Sequence, residues 1–201
     1  MTQQHPDWND SYTGAQLAPW DIGRPQPAFA ELANQGRLTG RLLDAGCGTG
    51  EQTILAAVAG ADATGVDIAP DAIRMARAKA DERGARARFE VADILNLASL
   101  GQRFDVAIDS GLFHVFSDDD RARYVTSLAS VLDPGAIVYL MCFSERQPGD
   151  LGPRRVTQEE LREAFASGWQ VSSIEPAEFD VNRIFGGDTA HAWLATIVRT
   201  A

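Results

Sequence analysis

The chain has 201 residues, 45% of them hydrophobic and 23% charged, an ordinary composition for a globular protein and a length that buries one full core. Its formal net charge is −10, with one lysine, Lys79, against seventeen arginines, a balance that argues against a surface built for nucleic-acid phosphates. No apolar run approaches the ~20 residues that span a bilayer, and no basic segment followed by an apolar one opens the chain, so no membrane partner is expected and the expected location is the cytoplasm.

The first ~20 residues are polar and aromatic without a clear period and read as loop or short helix. Pro25 and Pro27 set up a helix over AFAELANQG that ends at Gly36. Leu42–Ala45 reads as the first strand, Glu51–Ala59 as a helix, Ala63–Asp67 as the second strand, and Pro70–Arg83 as a helix with Asp71 in its first turn. Arg88–Ala92 and Phe104–Asp109 follow as strands. Asp118–Leu132 is a helix with an acidic start and a stop at Pro134 and Gly135. Ala136–Phe143 is apolar throughout, as a central parallel strand should be. Thr157 with Glu160 forms a capping box for a helix to Ala166. Trp169–Glu175 and Ala192–Arg199 close the chain as strands. Strand and helix alternate, which gives an α/β, doubly wound, mainly parallel sheet in a single domain over residues 1–201.

Two short strands carry the chemistry. Leu42–Gly50 reads LLDAGCGTG, and twenty-one residues after Gly46 the strand GVDI brings Asp67 to its tip. Glycines let backbone approach a ligand, and a carboxylate at the next strand end can accept hydrogen bonds from two ribose hydroxyls. The spacing separates the cofactors. A dinucleotide site wants G-x-G-x-x-G, but Glu51 stands where its third glycine would fall, and Asp44 precedes the turn. A diphosphate wants backbone N–H groups and a helix N-terminus without acidic flanks; a cationic sulfonium with an amino group wants the opposite. The pattern favours S-adenosylmethionine (SAM).

Ligands in such sheets sit beyond the carboxyl ends of the strands. The pocket should therefore be ringed by Gly46, Cys47, Gly48, Thr49 and Gly50, by Asp67 and Ile68, by Asp93 and Ile94 in VADIL, and by Asp109 and Ser110 in DSGLFHVF. For Asp93 a helix N-cap or turn is the other reading, and the register favours the cofactor. Asp44 could orient the turn or face the amino group. Cys47 reads as a small filler whose thiol the adjoining helix N-terminus would lower somewhat. Cys47 and Cys142 make no disulfide framework, and with His5, His114 and His191 scattered no metal site is expected.

These strand-end motifs, in register, resemble those of class I SAM-dependent methyltransferases. The resemblance implies a seven-stranded sheet with an antiparallel last strand. It also implies an Asp93 that accepts from the adenine amine, an Ile94 that packs on the ring, and S-adenosylhomocysteine (SAH) as product. Within that class, APWDIGRPQP (18–27), DSGLFHVF, LDPGA and AWL (192–194) resemble the thiopurine and thiol/halide methyltransferases over nearly the whole chain. Residues 1–24 then form an arm over the pocket, with Trp20 either covering cofactor or anchoring the arm. The expected activity is methyl transfer to sulfur, nitrogen or oxygen of a small, largely apolar or heteroaromatic acceptor by a monomer or homodimer. A quinol or phenol O-methyltransferase and a SAM-binding sensor or partner protein without turnover are the alternatives. His114 is the candidate general base, against the reading of a hydrogen-bonded structural residue. The loop SERQPGDLGPRRV (144–156) and Phe179, Ile184 and Phe185 are candidates to wall the acceptor side.

Overall fold

In the computed structural model, residues 8–13, 18–182 and 188–200 are described. The order is α1 (Asp10–Thr13), α2 (Pro27–Asn34), β1 (Arg41–Ala45), α3 (Glu51–Val58), β2 (Asp62–Asp67), α4 (Pro70–Glu82), β3 (Arg88–Val91), β4 (Phe104–Ser110), α5 (Asp118–Val131), β5 (Leu132–Phe143), α6 (Gln158–Ala164), β6 (Trp169–Asp180) and β7 (Thr189–Arg199). Short 3-10 turns at Ile94–Leu100 and Phe113–Val115 follow β3 and β4. The seven strands form one sheet in the order β3-β2-β1-β4-β5-β7-β6. Pairings among β1 to β5 are parallel, and β7 runs antiparallel to both β5 and β6.

Alternation within apolar strands feeds two cores, one on each face of the sheet. Leu43, Val138, Leu140 and Cys142 pack with Tyr124, Leu128 and Val131 of α5 and Leu161 of α6. Leu42, Tyr139, Met141 and Phe143 pack on the opposite face with Phe29 and Leu32 of α2 and Ala56 of α3. A continuous apolar run is what a strand covered on both faces requires. The chain crosses from one side of β1 to the other between β3 and β4, so a crevice opens above the carboxyl ends of β1 and β4.

Two boundaries differ from the sequence expectation by more than three residues. Helix α5 gives way directly to β5 at Leu132, and Pro134–Gly135 lies inside the strand rather than after a helix stop. The pairing jumps from Phe104↔Leu132 to Val106↔Ile137, so the irregular Pro-Gly stretch is absorbed as a bulge. Strand β6 continues past Glu175 through Pro176 to Asp180. It lies at the sheet edge, where proline is tolerated, and it pairs with β7 from Trp169↔Arg199 to Asp180↔Thr189. The capping box at Thr157 and Glu160 forms as expected, through both reciprocal bonds.

Candidate functional site

The glycine-rich turn after β1 is built for close approach. Gly46 has φ +70°, and a Cβ there would meet the Leu112 side chain at 3.1 Å. Gly50 has φ +85°, and a Cβ would lie 2.7 Å from the Phe89 ring. The amides of Gly46 and Cys47 both donate to the Val66 carbonyl, at 2.9 and 3.0 Å, tying the turn to β2. The only lysine in the chain, Lys79, reaches across from α4 to Thr49 Oγ1 (2.8 Å) and Glu51 (2.7 Å), while Arg83 holds the other Glu51 oxygen at 2.8 Å. These two cations keep the Glu51 carboxyl low against the burial that alone would raise it.

Above the turn opens a cavity of about 1290 Å³. Asp44, Gly46, Cys47, Gly48, Thr49, Asp67, Ile68, Asp93, Ile94 and Ser110 line it, together with Trp20 and His114. Two expected residues do not. Gly50 packs beneath α4 and β3, and Asp109 is fully buried behind the wall. The Asp109 carboxylate accepts from the amides of Leu112 (2.7 Å) and Phe113 (3.1 Å) and from the Tyr124 hydroxyl (3.0 Å). It shapes the Gly111–Phe113 turn from behind.

Asp44 is almost fully buried and accepts from Thr53 Oγ1 at 2.6 Å. Burial, with Asp109 and Asp67 nearby, pushes its carboxyl up to about 7 despite that bond. Asp67 accepts from the amides of Gly48 (2.8 Å) and Ala69 (2.9 Å), leaving further lone pairs toward the cavity, and burial raises it as well. Asp93 caps the 3-10 turn through the Leu95 amide (2.9 Å) and also lines the cavity. Among the described residues none of these three carboxylates forms an ion pair. Three carboxylates that share one cavity without a cation fit a cationic ligand. Ile68, 53% exposed at the rim, offers it an apolar face. Cys47 corrects the sequence expectation: burial and the carboxylates of Asp44 and Asp67 push its thiol well up, outweighing the helix N-terminus.

Among the described N-terminal residues, Trp8, Asn9, Tyr12, Trp20 and Asp21 line the cavity. Trp20, 47% exposed, donates from Nε1 to Tyr12 Oη (3.1 Å) and meets the Trp8 ring edge-on at 6.0 Å. Asn9 exchanges hydrogen bonds with Asp71 at the start of α4, and Asp21 accepts from Thr49 at 2.9 Å. Gln26 exchanges two bonds with the Asp180 backbone at 2.9 Å each. Asp21 and Gln26 carry no sequence signal, because their partners Thr49 and Asp180 lie 28 and 154 positions away.

Further in, the wall is aromatic: Phe116, Phe143, Phe179 and His114. Phe143 was not anticipated, since a strand-end phenylalanine reads as core; Phe179 was. Ile184 and Phe185 lie outside the described residues. Of the 144–156 loop, Gly152, Pro153 and Arg154 reach the cavity, and Arg154 is paired with Asp118 and Glu160. Arg155 is turned onto the loop's own carbonyls, among them Pro153 (2.6 Å) and Leu151 (2.9 Å). His114 Nδ1 accepts from the Phe143 amide at 3.0 Å.

Comparison with known proteins agrees with this geometry. The methyltransferase domain family matches residues 42–135. A 2-heptyl-1-hydroxyquinolin-4(1H)-one methyltransferase of Mycobacteroides abscessus is 40% identical over 192 residues, covering 90% of this chain and 85% of that protein. A probable thiol methyltransferase of Arabidopsis thaliana is 27% identical, over 92% and 83% of the two chains. A solved structure from the conversion of a disulfide bond into a thioacetal group during echinomycin biosynthesis superposes with a TM-score of 0.85 at 39% identity, covering 96% and 89%.

Proposed function

The chain belongs to the class I SAM-dependent methyltransferases, and from that premise we propose that it methylates a hydroxyl oxygen on a flat, hydroxylated nitrogen heterocycle. The observation that carries the reading is the cavity. At about 1290 Å³ it exceeds the range of a single drug-sized site, so cofactor and a bicyclic acceptor fit together. Its inner wall, of Phe116, Phe143, Phe179 and His114, suits a planar ring. The quinolone methyltransferase relative supports the same choice. A second reading, sulfur as acceptor atom, is favoured by the thiol methyltransferase and disulfide-processing relatives.

When bound, SAM supplies a methyl group on a cationic sulfonium with an excellent leaving group. In this reading Asp44 holds its ammonium group and Asp67 the ribose hydroxyls. Asp93 takes the adenine amine, with Ile68 and Ile94 against the ring. The turn Gly46–Thr49 brings backbone to the ligand, with Ser110 at the opposite wall. The aromatic wall excludes water and orients the acceptor for in-line attack, which supplies most of the rate in such a displacement. In the same reading the N-terminal arm closes the mouth through Trp20. The reading also has the enzyme act on free small molecules in the cytoplasm, as a monomer or homodimer without nucleic-acid or membrane partners. Its net charge of −10 supports the first of those exclusions, and no helix among the described residues is long and apolar enough to cross a membrane.

The test is a screen of 1-hydroxyquinolin-4(1H)-ones, phenols, aromatic thiols and N-heterocycles for SAH release, with the product's methyl position assigned by NMR. O-methylation of the hydroxyquinolones is expected. Turnover of thiols alone would replace oxygen by sulfur. Tight SAM binding with no turnover of any class would favour a sensor.

A further inference from the structure

His114 sits in the 3-10 turn that follows β4, and its ring nitrogens are in unlike settings. Nδ1 accepts the Phe143 amide proton at 3.0 Å. A ring nitrogen that accepts from an N–H carries no proton of its own, so the single proton of the neutral imidazole rests on Nε2. Nε2 has no partner among the described residues and adjoins Gly111, whose Cβ, if present, would lie 3.4 Å from it. The ring is 6% exposed, lines the cavity, and is wedged edge-on between Phe143 (5.0 Å between centroids) and Phe179 (5.9 Å).

The charged groups that act on it are Arg121 of α5 and Arg155 of the loop after β5; the rings of Phe143 and Phe179 bring no charge. Burial, then Arg121 and Arg155, lower its pKa to about 3. The imidazole is therefore neutral across the working pH range. Its basic nitrogen is spent on a backbone amide, and its other nitrogen already holds a proton. As placed, His114 can donate a hydrogen bond into the cavity but cannot receive a proton from an acceptor there.

We propose that His114 is a specificity-determining donor whose Nε2–H binds the anionic oxygen or sulfur of the acceptor, restricting the enzyme to acceptors that are already ionised near neutral pH. N-hydroxy heterocycles and aromatic thiols belong to that class; ordinary phenols, with a pKa near 10, do not. The inference rests on the methyl-transfer reading above and narrows its substrate. The step balances without a proton. A lone pair of the acceptor anion forms the new bond to the methyl carbon, the carbon–sulfur bond breaks with its electron pair left on sulfur, and the two opposite charges cancel. A neutral phenol would have to shed a proton; of the carboxylates lining the cavity, Asp118 is engaged with Arg154 and Asp180 with Arg24, and the reading above gives Asp44, Asp67 and Asp93 to the cofactor. One hydrogen bond from Nε2 in a phenylalanine-walled pocket replaces the several that water gives the anion, which positions it while leaving it reactive.

Two variants separate the roles of the two nitrogens. His114→Asn retains an acceptor for the Phe143 amide and loses the donor into the cavity, whereas His114→Gln carries an amide N–H far enough to replace Nε2–H. The measurement is kcat/KM against pH for ring-substituted 1-hydroxyquinolin-4(1H)-ones that differ in acidity, with a naphthol of similar shape as the neutral case. Expected are an acidic limb that follows each acceptor's own pKa, a loss of about 10- to 100-fold in His114→Asn at an unmoved limb, and a loss under about tenfold in His114→Gln. Ultraviolet spectra of acceptor bound to the SAH complex, one pH unit below the acceptor's pKa, should show the anion with wild type and His114→Gln but not with His114→Asn. A limb at one fixed pH for every acceptor, lost in both variants, would make His114 a base and overturn the proposal. Equal kcat/KM and equal spectra in all three proteins would make it structural and overturn it too. If wild type turns over nothing, the methyl-transfer reading fails separately, and the bound-acceptor spectra still decide the donor.

Discussion

Replacing Asp67 by alanine isolates the contribution of the second strand end. Asp67 closes β2 with one oxygen on the Gly48 amide (2.8 Å) and the other on the Ala69 amide (2.9 Å). Gly48 lines the cavity, where water can replace the lost acceptor, whereas Ala69 is buried and its amide would be left without a partner, so the folded protein should lose about 1–3 kcal/mol. Cofactor binding should lose more. Two charge-assisted hydrogen bonds to ribose hydroxyls, at ~1.5–3 kcal/mol each, amount to ~3–6 kcal/mol, or roughly two to four orders of magnitude in Kd. Calorimetry with SAH measures the loss directly. A cycle with 2′-deoxy-SAH then tests the cause: if Asp67 binds that hydroxyl, deleting either partner removes most of the same energy and the double change adds little. An Asp67→Ala protein that binds SAH within threefold of wild type, or losses that add in full, would refute the assignment of Asp67 to the ribose.

Asp44 predicts a pH dependence. An ammonium group needs the carboxylate, and burial with Asp109 and Asp67 nearby holds Asp44 to about 7, so SAM affinity should fall about tenfold per pH unit below that value and binding near pH 6.5 should release a proton. Calorimetry in buffers of different ionisation enthalpy would show the release, and constant affinity from pH 5.5 to 8 would contradict it. For the unliganded protein the sign is opposite. The folded-state pKa lies above the unfolded one, so Asp44 favours folding at low pH, and that contribution is lost as pH rises from about 4 to about 7; the thermal shift produced by saturating SAH should therefore grow with pH. At the arm, Trp20→Ala should change the melting temperature by less than about 2 °C while lowering turnover about tenfold. Hydrogen exchange on wild type should show residues 8–13 and 18–23 gaining protection with SAH; equal protection in both states would make the arm a fixed part of the fold.

LLDAGCGTG, GVDI and VADIL by themselves mark most of the cavity rim, because a ligand at strand ends demands particular residue types at particular local positions, and local spacing is what a sequence displays. The capping box at Thr157 and the proline-started helices were legible for the same reason. Tertiary structure decided what depends on distant partners. Asp109, in register with the rim residues, turns inward because the Leu112 and Phe113 amides and the Tyr124 hydroxyl converge behind it. Lys79 reaches Thr49 from α4, and Gln26 exchanges hydrogen bonds with the Asp180 backbone 154 positions away. The bulge at Pro134–Gly135 and the extension of β6 through Pro176 follow from strand neighbours and edge position. His114 shows the division most plainly. Its sequence neighbours Phe113 and Val115 leave a base and a structural residue equally open, and only the backbone of β5, twenty-nine positions away, fixes which nitrogen carries the proton and which faces the cavity.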